Sequence, residues 1–121
     1  MRQFLFTLIL LLAGTTITLA QDNDYYQKKA DGYMREAESY QEKGDGHIRN
    51  AEYAFNRAES YLRDVAYYIK NDNPGKAESY ASWASDQMDK YRTQMGYAAD
   101  AYEKAAYYMR LSKDMLSKIR D

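Results

Sequence analysis

The chain has 121 residues, no cysteine, a single histidine, and 17 Lys+Arg against 18 Asp+Glu. Without cysteine there are no disulfides, no thiolate metal sites and no lipid-bearing N-terminal cysteine, and the near-balance of charge removes the electrostatic footprint of a nucleic-acid or anionic-membrane binder. Large aliphatic residues are scarce after position 20, where all fourteen tyrosines lie, so a core there has to be built from Ala, Tyr and Met.

The first twenty residues read as a secretory signal peptide. Arg2 supplies the basic start, residues 4–13 (FLFTLILLLA) the apolar centre, and Thr18-Leu19-Ala20 the small-residue cleavage site. The apolar run is short for a bilayer span, and polar Gln21-Asp22-Asn23-Asp24 follows it. The expectation is an exported protein, periplasmic or secreted after cleavage near Ala20, that meets the membrane only through the removed segment. Residues 21–121 then form a single helical domain.

Asp24 is placed to cap a first helix over about residues 24–71, with Gln27 completing a capping box. From Ala30 the chain falls into gapless heptads. The first position holds Ala30, Ala37, Gly44, Ala51, Ala58 and Val65. The fourth holds Tyr33, Tyr40, His47, Ala54, Tyr61 and Tyr68, and the fifth Met34, Gln41, Ile48, Phe55, Leu62 and Ile69. These three positions share one helix face, so all three are expected in the core. Lys70 suits the C-terminal end of this helix, and Asn71 is assigned the left-handed residue that closes it.

Asn73-Pro74-Gly75 marks the turn, because proline at the first helical position forfeits no hydrogen bond. The frame restarts at Ala77 and runs through Ala84, Tyr91, Ala98, Ala105 and Ser112 to Ile119, with Ala81, Met88, Met95, Tyr102, Met109 and Leu116 at the fifth position. The predicted architecture is all-α, an antiparallel helical hairpin or coiled coil of two long helices, about 24–71 and 74–119. A sustained seven-residue repeat favours it. The alternative is a three- or four-helix bundle with breaks at 44–46 and near 96, since Gly44-Asp45-Gly46 is a turn-like string and a possible hinge.

No catalytic constellation, cofactor site or metal site is found. His47 sits in the core stripe, the residue three before it is Gly44, and further His or Cys ligands are missing. The tyrosines off the stripe stand out instead. Tyr25, Tyr53, Tyr67 and Tyr107 fall at the third heptad position and Trp83 and Tyr97 at the seventh, which makes these six the candidate partner contacts. The spacing of Gly46, Ile48, Ala51, Phe55 and Ala58 resembles the second helix of a tetratricopeptide repeat. Its first-helix signature is missing and the echo at Ala98, Tyr102 and Ala105 is out of step with that family's period of about 34 residues, so its peptide-binding role is not carried over.

The function expected is an exported, non-enzymatic helical interaction or structural module that binds itself or a protein partner through Ala/Tyr/Met faces, with no nucleic acid involved. The leader and the helical arms are also similar to those of Skp/OmpH-type chaperones, a resemblance that implies a periplasmic holdase. This chain departs from that family in its near-neutral charge and in having no strand run. A lipid- or polysaccharide-surface binder is a third alternative.

Overall fold

The computed structural model describes residues 15–120, with side chains from Gln21 onward. The expected signal peptide, residues 1–20, lies outside the described residues except for the backbone of 15–20, which is helical. Two helices, α1 (Thr15–Lys70) and α2 (Pro74–Leu116), pack as an all-α hairpin with no strand among the described residues. Both are unbroken, so the bundle with breaks at 44–46 and near 96 is not the architecture. Asp24 is not a cap either. It lies inside α1 and pairs with Lys28 at 3.2 Å, while Gln27 donates to Asp31. Nothing in residues 15–23 carries a proline or glycine to stop the helix from extending upstream.

The turn is closed by capping on both sides. Asp72, not Asn71, takes the left-handed conformation, with φ 55°. The Asn73 N–H donates to the Tyr68 carbonyl at 2.8 Å and the Asp72 N–H to that of Ile69 at 3.2 Å. This pair of bonds is a Schellman closure, and aspartate is one of the few side chains that tolerate its left-handed residue. The Asn71 side chain instead donates to the Tyr67 carbonyl at 2.7 Å. Asn73 then opens α2. Its Oδ1 accepts from the Lys76 N–H at 3.2 Å, with Pro74 as the first helical residue.

The chain forms two compact units, residues 41–102 and the residues up to Tyr40 together with those from Glu103. In the first, the buried seam is made of small residues: Gly44, Ala51, Ala58, Ala77, Ala84 and Ala98 at the first heptad position, and Ala54 and Ala101 at the fourth. In the second, Ala30, Ala37, Ala105 and Ser112 do the same work. There the Ser112 hydroxyl reaches across to donate to the Ala30 carbonyl at 2.9 Å, a bond that requires closely approaching backbones. Asn23, fully buried, closes the open end by accepting from the Arg120 N–H at 2.9 Å and donating to its carbonyl at 2.5 Å.

The expectation that three heptad positions are buried together needs correction. Successive helical residues lie about 100° apart, so the fourth position falls about 60° to one side of the first and the fifth about 40° to the other. A seam between two helices closes the first position and leans on one flank. Here the flank is the fourth, whose rings meet across the hairpin. Most of the fifth stays open in both units: Phe55 is 40 %, Leu62 54 % and Ile69 66 % exposed, and Met34, Met109 and Leu116 are exposed too, while Ile48 and Met88 are half-buried.

Candidate functional site

The aromatic flank of residues 41–102 grows out of this register. Fourth-position rings alternate across the hairpin, with Tyr68 stacked on Tyr80 at 5.3 Å and Tyr61 against Tyr80 at 6.0 Å. Trp83, one of the six candidate contacts, adds its indole edge to Tyr80 at 4.9 Å and touches Tyr61 at 5.8 Å. Tyr67 meets the edge of Tyr68 at 5.1 Å. Offset and edge-on pairs of this kind fix ring positions while the outer rims remain wet. The Tyr80 hydroxyl is held above its ordinary pKa, first by the neighbouring Tyr68 and then by partial desolvation.

Arg57 organises the next turn. Its guanidinium donates to Tyr61 at 2.6 Å and to Tyr53 at 3.1 Å and lies over both rings, and the two hydroxyls raise its pKa further. Beside it the ladder of rings is interrupted, because the fourth position carries Ala54 on α1 and Gln87 and Gln94 on α2. A groove of about 540 Å³ opens there, lined among others by Asn50, Tyr53, Arg57, Lys90 and Thr93. At its far side His47 Nδ1–H donates to Gln94 Oε1 at 2.7 Å, and the imidazole faces Tyr97 at 5.3 Å. Amides, hydroxyls, two cations and the Asp89 carboxylate in an open groove suit reversible polar binding. They do not place a nucleophile against a base.

All six candidate contacts are surface residues, with exposures of 47–63 %. Tyr53, Tyr67, Trp83 and Tyr97 belong to residues 41–102. Tyr25 and Tyr107 belong to the other unit, where they edge onto Tyr26 and Tyr108. In that unit Tyr40 stacks on Tyr108 at 5.8 Å, and burial lifts the Tyr108 hydroxyl's pKa. Lys104 and Lys118 lie over the rings of Tyr40 and Tyr26 at 5.5 and 5.6 Å.

The expected hinge resolves differently at each residue. Gly44 is buried inside α1, and the Tyr102 ring lies where a Cβ would stand, 2.5 Å from that position. The Tyr102 hydroxyl donates to Asp45 at 2.5 Å, which raises the phenol's pKa. Gly46 has only the Arg49 guanidinium within 4 Å, at 3.8 Å. Gly44 is therefore a packing glycine and the string is not a turn. Asn73, Pro74 and Gly75 do sit at the turn and the start of α2.

The sequence pattern gives no sign of the role of Arg57, nor of which flank of the apolar stripe stays open. Neither the fourth-position row nor the fifth carries Lys, Arg, Asp or Glu in either helix, so charge does not separate the two. Among the described residues no cluster of His, Cys, Asp or Glu could hold a metal ion, and no helix is long and apolar enough to cross a membrane. No family model, curated protein or solved structure matches this chain. The fold therefore defines a class by its architecture alone, an alanine-seamed helical hairpin with aromatic rings along one flank.

Proposed function

We propose that this is an exported, non-enzymatic interaction module that recognises protein surfaces through its exposed aromatic and apolar rows. The supporting observation is the half-exposed cluster around Trp83, Tyr53 and Tyr67, whose inner rings and Arg57 are already fixed by neighbouring side chains. Tyr, Trp and Arg dominate interface hot spots because they combine large area with a polar tip, and rings held before binding lose little entropy on contact. The support for export is the leader-like composition of residues 1–20.

Cross-linking in the native host, followed by mass determination, tests the reading. A recovered protein partner or a second copy is expected, and it should be lost when Trp83 and Tyr67 or the fifth-position row are made polar. A chain that stays a single copy at tens of micromolar and captures no partner contradicts it.

A further inference from the structure

Resting on the interaction-module reading, we infer that the fifth-position row of residues 41–102 is the seat of a second copy of this chain. The two copies pack face to face about a two-fold axis parallel to the helices, with α1 of each lying on α2 of the other.

The burial pattern carries the first part of the argument. Every buried apolar residue of this unit is alanine, while Phe55, Leu62, Ile69, Met95 and Tyr102 stand 36–66 % exposed on one side of the seam. That inverts the usual distribution, in which Leu, Ile, Phe and Met are the residues withdrawn from water. A two-helix hairpin is one layer, and a domain core is ordinarily closed by two. The row is also uncharged throughout, from Gln41, Ile48 and Phe55 on α1 to Met88, Met95 and Tyr102 on α2, whereas a solvated helix face carries charge. Its half-exposed side chains offer on the order of 500 Å² of apolar surface. With flanking rows added, that approaches the roughly 800 Å² per partner of a standard interface.

Charge selects the occupant and its orientation. Bordering the row at the second heptad position, α1 carries Asp45, Glu52, Glu59 and Ala66, and α2 carries Glu78, Ser85, Arg92 and Ala99. The contacts Gly44–Tyr102, Phe55–Tyr91 and Tyr61–Trp83 fix which residues share a level along the hairpin. On that register Asp45 is level with Ala99, Glu52 with Arg92, Glu59 with Ser85 and Ala66 with Glu78. A two-fold axis along the helices brings these level pairs together between copies, and no acid meets an acid. Seating α1 on α1 would instead set acidic borders against each other. Arg92 also holds Asp89 on its own helix, so in the dimer its guanidinium is shared between Asp89 and Glu52 of the other copy.

Sedimentation of the purified chain, with helicity followed by circular dichroism, tests this. The wild type is expected to be a dimer at tens of micromolar, and Leu62→Glu a single copy of unchanged helicity. Glu52→Arg should weaken the dimer severalfold, and adding Arg92→Glu should restore it. Ser60→Glu, exposed on the side of α1 away from the row, should leave it intact. Should Leu62→Glu fail to fold, the charge exchange decides alone. A wild type that remains a single copy overturns the inference, while a partner recovered by cross-linking would still uphold the interaction-module reading. A dimer lost with Ser60→Glu but kept with Leu62→Glu, or a charge exchange that restores nothing, also overturns it.

Discussion

The two flanks of the alanine seam are nearly equal in apolar content and opposite in fate. On the fourth-position side, Tyr61, Tyr68 and Tyr80 close over the hairpin ring against ring. On the fifth-position side, Leu62 and Ile69 are more than half exposed. The contrast teaches that an apolar stripe says which face of a helix avoids water, not how much of it one partner helix can cover. A stripe about 100° wide serves a seam and one flank, and the other flank is left for something else.

The comparison breaks most visibly at the seam. Ala51→Leu places a large side chain where the native residue is wholly buried, and a loss of about 2–3 kcal/mol in denaturant melts is expected from overpacking. A change within about 0.5 kcal/mol, the range of surface substitutions, would mean that the helices do not meet at alanine.

The Gly44/Gly46 pair sharpens the same point. Alanine at a helical glycine ordinarily adds about 0.5–1 kcal/mol, and Gly46→Ala should deliver that, since nothing stands closer than Arg49. Gly44→Ala collides with the Tyr102 ring, which must swing away from Asp45. It should therefore fall below Gly46→Ala by about 1 kcal/mol, roughly the worth of one hydrogen bond and its packing. Equal gains at both positions would remove the packing role given to Gly44.

Much of this fold is legible in the sequence. The heptad frame, the small first position and the Asn73-Pro74 start are all local or periodic signals, and the hairpin follows from them. What is not legible is set by residues far apart in the chain. Gly44 looks like a break because glycine weakens a helix locally, and its reason, Tyr102, lies 57 residues beyond the neighbouring Asp45. The fourth and fifth positions cannot be ranked from one helix, because the choice of flank belongs to the pair. The six candidate contacts can be named from spacing alone, whereas Arg57 emerges only once Tyr53 and Tyr61 lie on either side of it.

A smaller effect is expected from alkali. Donation to Asp45 raises the Tyr102 pKa above the ordinary value near 10. A group whose folded pKa is raised contributes stability that is complete below its unfolded pKa and is lost as pH climbs through the folded one. Wild type should therefore exceed Tyr102→Phe in stability up to about pH 10 and lose that advantage above it, with one late-titrating phenol missing from the variant's tyrosinate absorbance. A stability difference that persists unchanged into strong alkali would contradict the bond.

That alanine fills the seam while Leu62 and Ile69 stand outside it is tested most directly by Leu62→Ala in denaturant melts at dilutions where the chain is a single copy. An exposed leucine predicts a loss of no more than about 0.5 kcal/mol. A loss of about 2–5 kcal/mol, the range for a leucine buried in a core, would contradict the account.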